Sequence, residues 1–312
     1  MTAVKTFQFV LLLAMAPMVR GTIARLKAIL QRRHGASIFR PYYDAWKLLH
    51  KEDIVPPNAS WLFRASPRIA LALTVAGTAF VPMLSTGGLL SFSGDFLLLI
   101  YLLAFARFVL ILGGLDPGSS FAGMGASREA MVSALAEAPL VMGVIAVAIL
   151  AKASNLASIV AWTVAQNFFD ISAVHVLALT ALIFVVLAES GRIPVDNPAT
   201  HLELTMLHEA MVLEYSGPSL ALIEWAHALK LTMLASLLIA LFAPWGIAWN
   251  TGLAALVIAL GVYVLKLLAT IVGIAVLEST VAKLRMYVVP EFLGIASALA
   301  ILAIVFTVIL KR

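Results

Sequence analysis

The sequence predicts an all-α polytopic membrane protein with about eight transmembrane helices. Of its 312 residues, 62% are hydrophobic and 12% are charged, and the mean hydropathy is +1.04. Soluble domains carry about 25% charged residues. The apolar runs are also long enough to cross a bilayer, which takes about 20 residues. We therefore expect a single membrane domain over residues 1–312.

The apolar runs follow one another along the chain, separated by polar connections. The first run could be the core of a signal peptide, but Pro17 and the following Arg20 favour a retained span extended through residues 21–24. The runs are 7–19, 69–84, 96–112, 130–151, 174–188, 220–241, 253–277 and 292–310.

Basic residues are concentrated in every second connection, which predicts the orientation. The longest connection, 25–68, holds the largest share of Lys and Arg, whereas the alternate connections carry only Lys152. By the positive-inside rule, the basic connections are cytoplasmic and both termini lie outside. The later basic connections are marked by Arg128, Arg192, Lys283 and Arg285.

The connection 25–68 mixes its cations with Tyr42, Tyr43, Trp46 and Trp61. Aromatic residues of this kind are typical of the headgroup level of a membrane. We interpret 25–68 as a cytoplasmic basic docking loop for a partner as well as an aromatic belt.

A second connection, 189–217, concentrates charge between two spans and is the predicted place of function. His201, Thr205 and His208 fall on one helical face, which predicts a short amphipathic helix at the membrane surface. Pro194 and Pro198 interrupt the chain before it. The ionisable residues of this loop are Glu189, Arg192, Asp196, His201, Glu203, His208, Glu209 and Glu214.

Several ionisable residues fall inside apolar runs, where they are costly and usually functional. Carboxylates close to one another can exchange protons near neutral pH, so Glu137 and Glu189 are predicted members of a proton relay. For the others the sequence leaves structural alternatives open: interhelical pairing for Glu224, and snorkelling for Lys266, Arg107 and Glu278. Lys230 in the sixth run belongs to the same undecided group.

Other classes of chemistry are disfavoured. The chain has no cysteine, so it cannot supply thiolates to an iron–sulfur cluster or a zinc site. His208-Glu209 lacks the second histidine of a zincin motif, and His201-x-Glu203 lacks the cysteines of zinc deaminases. There is no phosphate-binding glycine loop and no G-x-S-x-G. Orientation explains the basic residues, so no nucleic-acid partner is expected.

Four stretches carry a resemblance to subunit 1 of the respiratory NADH:quinone oxidoreductase, in its hydrogenase-4, formate hydrogenlyase and energy-converting hydrogenase branch. The central stretch comprises Ala188, Glu189, Arg192, Pro194, Asp196, Pro198, Glu203 and Leu204, then Glu214, Tyr215, Ser216 and Gly217. The others are Arg33-His34-Gly35 with Tyr42, Asp44, Lys47 and Leu48; Gly114-Leu115-Asp116 through Arg128-Glu129 and Glu137; and Glu278-Ser279 with Ala282, Lys283, Leu284 and Arg285.

This resemblance implies a membrane anchor in a multi-subunit complex of the prokaryotic inner membrane. Its partners would be hydrogenase-like large and small subunits of a cytoplasmic arm, which hold a nickel–iron site and iron–sulfur clusters, and antiporter-like membrane subunits. This chain would hold no cofactor itself. Redox events in the arm would shift the loop and change the protonation of Glu189 and Glu137.

The residues receive roles by the same resemblance, together with the loop analysis. The proton relay comprises Glu137, Glu189, Asp196, His201, Glu203, His208, Glu209 and Glu214. Arg192 and Pro194 structure the loop. The arm docks on Arg33, Asp44, Lys47, Arg128, Glu129 and Arg285.

The chain also departs from the quinone-reducing members of the family. Ala199 and His201 stand where those members have carboxylates, Ala36 replaces a proline, and the connection from Leu204 to Tyr215 is longer. These changes favour the hydrogenase branch, and the histidines could replace lost carboxylates in a relay. A quinone module, a stand-alone ion transporter and a purely structural anchor remain as alternatives.

Overall fold

The computed structural model describes residues 2–166, 172–196, 206–248 and 252–310, and within these ranges the protein is helical without a β-strand. The predicted all-α membrane fold is confirmed. The helices are α1 (Thr2–Leu30), α2 (Arg40–Leu49), α3 (Trp61–Thr78), α4 (Asp95–Leu115), α5 (Ser120–Ala151), α6 (Leu156–Ala165), α7 (Ala173–Glu189), α8 (His208–Met211), α9 (Gly217–Phe242), α10 (Leu253–Thr280) and α11 (Val289–Leu310).

Six helices of the described chain are long and apolar enough to cross a membrane. These are α1, α4, α5, α9, α10 and α11, the last counted together with the short turn that precedes it. The other two predicted spans correspond to α7, which has 17 residues, and α3, which has 18 residues and carries Arg64 and Arg68. The count of eight spans remains a prediction.

The C-terminal boundary predicted for the second span, residue 84, is wrong. The helix begins before the expected residue 69 and stops at Thr78, and residues 79–94 are irregular. The apolar residues after Thr78 are nonetheless buried, with Leu84 fully inside the core. Pro82 and two glycines disfavour helix, and the buried Gln8 of α1 holds the loop by bonding the Leu84 N–H and the Gly87 carbonyl.

Local chemistry explains several helix starts. The Ser60 hydroxyl accepts a bond from the Leu62 N–H at the start of α3, and Asn155 caps α6 through the Ser158 N–H. At the start of α9, Gly217 has φ +47°, and a Cβ there would lie 2.4 Å from the Glu52 carbonyl oxygen. Glycine is therefore required where the central loop meets residues 52–54.

Helix α9 is the most buried of the six candidate spans and lies at the centre of the fold. It packs against α1, α2, α3 and α7. A second group, α5, α7 and α11, packs together; α4 joins it through α5, and α3 packs on α4. Most of the core forms one apolar cluster shared by these helices.

The connections that the sequence marks as charged meet at one end of the bundle. Ser60 bonds the Asp116 carboxylate at 2.7 Å, and the Ile54 N–H donates to the Ser216 hydroxyl at 2.9 Å. Lys283 reaches Asp196 at 2.7 Å. Which side of the membrane this end faces remains a prediction of the positive-inside rule.

Candidate functional site

Glu189 is the last residue of α7 and is 3% exposed. Its carboxylate forms ion pairs with Arg107 of α4 and with Lys230 of α9, the latter at 3.0 Å. A carboxylate is unfavourable at the C-terminal, negative end of a helix dipole, and the two cations compensate for that position. Three helices therefore bring their charges to one point inside the bundle.

Neither Arg107 nor Lys230 is exposed, with 5% and 6% of their surface accessible. The snorkelling alternative for Arg107 is therefore wrong, because its guanidinium pairs inward with Glu189. Two guanidinium nitrogens of Arg107, Nε and Nη2, have no hydrogen-bond partner among the described residues. In a membrane interior such groups need water or another polar partner.

Glu129 of α5 adds a second carboxylate to this point. It was predicted to dock a partner subunit, but the structure buries it to 6% exposure and pairs it with His208 Nδ1 at 3.0 Å. The reason is that α8 packs directly on this part of α5. Glu129 also lies within electrostatic range of Lys230 and Arg107.

His208 begins α8 and contacts two carboxylates: its backbone N–H bonds Asp196 of the loop, and its ring bonds Glu129 of α5. Burial disfavours its charged form, but the Glu129 carboxylate and the hydrogen bond to it outweigh burial and raise the pKa of His208 above its ordinary value. The backbone N–H groups of Leu207 and His208 donate to Asp196 at 3.1 and 3.2 Å. Asp196 thus fixes the position from which His208 reaches Glu129.

His227 of α9 lies against His208, with the ring centroids 4.2 Å apart. Its Nε2 is shielded from solvent and has no hydrogen-bond partner among the described residues. Sequence reasoning missed His227. A signal was present, because Glu224, His227 and Lys230 recur every three residues in an apolar span and so share a polar helix face.

The loop after α7 is held by an ion pair with α10 and by a backbone hydrogen bond to the segment after α10. Arg192 pairs with Glu278 of α10 at 3.2 Å, and Lys27 of α1 pairs with the same carboxylate at 3.2 Å. Glu278 is 4% exposed, so it is buried in an ion pair instead of snorkelling. The buried Pro194 accepts a bond from the Leu284 N–H at 2.8 Å. The predicted loop-structuring residues are thus placed where they bind the loop to α10 and to the segment after it, and Glu278 also ties α10 to α1.

The remaining predicted relay residues are not gathered at this point. Glu137 is half-buried on α5, more than two turns from Glu129, with no ion pair among the described residues. Glu209 and Glu214 are half-buried in and after α8. His201 and Glu203, and with them most of the predicted amphipathic helix, lie outside the described residues.

The other predicted docking residues lie at the charged end of the bundle. Arg33, Lys47 and Arg285 are exposed, and Asp44 is bound by Arg40 within α2 at 2.9 Å. Arg128 is half-buried and donates to the Met206 carbonyl at 3.2 Å.

Two further ionisable residues of the spans have local partners. Glu224 pairs with Arg20 of α1, so the interhelical pairing that the sequence left open for Glu224 is confirmed. Lys266 donates to the carbonyls of Ala243 and Trp245 after the end of α9. The amine therefore binds the backbone just beyond the C-terminus of α9.

Three cavities lie around these side chains. The largest, about 380 Å³, opens between α1, α2 and α9 and contains Arg20, Arg40, Asp44 and Glu224. Two small cavities of about 20 and 60 Å³ flank the histidine pair. Among the described residues, no group of three or more His, Asp or Glu side chains has the arrangement of a metal site.

Fold and site together define a polytopic membrane protein with a buried chain of carboxylates, cations and histidines. Residues 3–309 match the family model described as NADH dehydrogenase, and the chain belongs to this family, in which the subunit 1 resemblance placed it. The prediction of the family is confirmed.

The similar relatives include members of the predicted branch. The chain is 34% identical to hydrogenase-4 component C of Escherichia coli over 96% of this chain and 93% of the relative. It is 32% identical to formate hydrogenlyase subunit 4 of the same organism over 96% of each chain. It is 30% identical to an NADH-quinone oxidoreductase subunit of Anaplasma phagocytophilum over 70% of this chain and 68% of that one.

A solved structure supports the fold. A chain of the membrane-bound sulfane sulfur reductase, an archaeal respiratory membrane complex, superposes with a TM-score of 0.85 over 98% of each chain. The two sequences are 20% identical, so this similarity concerns the fold alone.

Proposed function

We propose that this protein is the membrane-anchor subunit of an energy-converting complex of the hydrogenase-4 and formate hydrogenlyase type. It couples redox chemistry in a cytoplasmic arm to proton or sodium movement through the membrane. The observation that carries the proposal is the buried Glu189 between Arg107 and Lys230, joined through the Glu129–His208 pair to the loop at the charged end of the bundle. The family and its full-length relatives supply the kind of complex.

The geometry supports a mechanism in which loop position controls buried charge. Asp196 fixes the start of α8, and the His208 side chain at that start contacts Glu129. A displacement of α8 therefore changes the His208–Glu129 contact. A movement of the loop caused by the arm would change the field at Lys230 and Glu189. Because buried charges interact strongly, a small displacement is sufficient to change the protonation of a carboxylate.

The redox groups belong to the partners in this proposal. Nickel–iron and iron–sulfur centres would lie in the large and small subunits of the arm, antiporter-like subunits would pack alongside in the cytoplasmic membrane of a prokaryote, and this chain would contribute no cofactor. The exposed cations Arg33, Lys47 and Arg285 are the surface on which we place the arm.

The test is to purify the complex through an affinity tag on this chain, identify the subunits that accompany it, and assay hydrogen evolution and quinone reduction. Hydrogenase-type subunits with hydrogen turnover would support the proposal. Purification of the chain alone, active in ion transport without partners, would overturn it in favour of a stand-alone transporter.

One observation favours a quinone module as the second candidate. The cavity of about 380 Å³ between α1, α2 and α9 is within the size range of small-molecule sites and has apolar walls with a few charged groups. The same purified complex decides between the two candidates, since the quinone module predicts quinone reduction without hydrogen turnover.

A further inference from the structure

The two small cavities beside the histidine pair have different linings. One contains Arg20, Arg192, Asp196 and Glu209 and so belongs to the charged loop. The other contains Arg107, Glu129 and Lys230 and so belongs to the buried ion pairs. Of the described residues, His208 and His227 are the two that line both cavities.

We propose that His208 and His227 form a proton-transfer junction that connects the loop-side cavity to Glu129. The inference rests on the proposed function and assigns to these two side chains the route by which protons reach Glu129. His227 takes no part in the structural ion pairs of the loop.

Three observations carry the proposal. The rings lie with centroids 4.2 Å apart, close enough for one water molecule to carry a proton between their nitrogens. His227 Nε2 is buried without a protein partner among the described residues, although a buried ring nitrogen normally has one. His208 Nδ1 already contacts the Glu129 carboxylate at 3.0 Å.

The transfer conserves protons at each step. A neutral imidazole accepts a proton at one ring nitrogen, becomes an imidazolium, which Glu129 stabilises in the case of His208, and releases the proton of its second nitrogen, so the ring ends neutral. One proton enters from water in the loop-side cavity at His227, passes to His208, and reaches a Glu129 carboxylate oxygen. Glu129 then becomes neutral, which weakens its attraction for Lys230 and Arg107 and so changes the field at Glu189.

The charged groups around the pair set the direction of transfer. Arg20 and Lys230 are the cations that act on His227, and the ionised Glu129 lies beyond His208, so the field directs a proton from His227 towards the carboxylate side. Glu129 and Asp196 favour a proton on His208. The groups facing the pair are Arg20 on α1, Arg107 on α4, Glu129 on α5, Arg192 and Asp196 after α7, His208 and Glu209 on α8, and Lys230 on α9.

The test uses the whole complex in sealed membrane vesicles, with ion uptake and redox turnover measured together. His227→Phe keeps an aromatic ring but has no titrating nitrogen, and His227→Gln keeps polarity without titrating near neutral pH. Both variants are expected to move ions about 100-fold more slowly, a loss typical of a removed proton-transfer group, while uncoupled redox turnover continues. The matched control is His175→Phe on α7, which lines neither cavity.

Ion uptake at the wild-type rate in either His227 variant would overturn the junction while leaving the proposed function in place. A wild-type complex that moves no ions would overturn the proposed function itself. A high-resolution map of the wild-type complex gives a test that does not depend on variant folding. Ordered water within hydrogen-bond distance of a histidine nitrogen in both cavities is expected, and two dry cavities would contradict the proposal.

Discussion

At the scale of single residues, Glu189 has more cationic neighbours than its own charge requires. Arg107 and Lys230 both face it, and Glu129 supplies the balancing charge across the cluster. Burying an ion pair is costly, and removing one member of it typically costs about 3–5 kcal/mol because the other is left unpaired. Apolar side chains would fill a purely structural role at least as well, so the retained charges favour a functional role.

The pKa of His208 predicts a pH dependence of stability. Because this pKa is raised in the folded protein, the His208–Glu129 pair stabilises fully below the unfolded-state pKa of about 6.5 and loses its contribution as pH rises through the folded-state pKa. His208→Gln should therefore cost about 1.5–3 kcal/mol at pH 6 and clearly less at pH 9.

Thermal unfolding of the purified complex in detergent at the two pH values measures this difference. His175→Gln serves as the control, because its ring contacts Ser172 and no carboxylate among the described residues. An equal cost of His208→Gln at both pH values would contradict the pH-dependent stabilisation by the His208–Glu129 pair.

At the scale of elements, the site depends on close packing between α8 and α5. A Cβ at Gly125 would lie 2.8 Å from both the Ala210 Cβ and the Met211 backbone nitrogen. Backbone cannot move aside cheaply, so Gly125 is what allows His208 to reach Glu129 from the adjoining helix.

Gly125→Ala should push α8 away from α5 and destabilise the protein by about 1–3 kcal/mol. It should also impair ion coupling, because the His208–Glu129 contact lengthens. Gly123→Ala on the same helix is the matched control, since a Cβ there meets no atom within 4 Å and alanine favours helix by up to about 1 kcal/mol. Melting temperatures and vesicle assays of both variants decide the point, and equal behaviour of the two would contradict this role for α8.

The elements also show how far sequence reasoning reaches. Hydropathy located the spans well because membrane crossing imposes length and composition, as in α7, predicted at 174–188 and found at Ala173–Glu189. It failed after Thr78, where apolar residues are buried as a loop instead of a helix. A buried loop and a membrane-spanning helix are both rich in apolar residues, so composition alone could not distinguish the two.

The site was predicted less completely, for a related reason. Glu189, Asp196 and His208 were identified from their position in a charged loop. Glu129 and His227 were not placed in the site, because a pair formed between different helices leaves no pattern within either one. The packing of α8 on α5 and of the loop on α9 had to be known before those partners could be named.

At the scale of the whole molecule, the loop after α7 connects the charged end of the bundle to its buried cluster. It is tied to α1 and α10 through Glu278, and to the cluster through Asp196 and His208. A subunit docked on the charged end could therefore act on Glu189 without touching it.

The most direct test of this coupling is Glu189→Gln, measured as ion uptake against redox turnover in vesicles that contain the whole complex. The double variant Glu189→Gln with Lys230→Met restores the charge balance, and Glu291→Gln, an exposed carboxylate of α11, is the control. We expect both Glu189 variants to assemble and turn over but to move no ions, while Glu291→Gln behaves as wild type. Normal ion uptake in Glu189→Gln, or its recovery in the double variant, would contradict the proposed coupling and leave Glu189 as a structural charge.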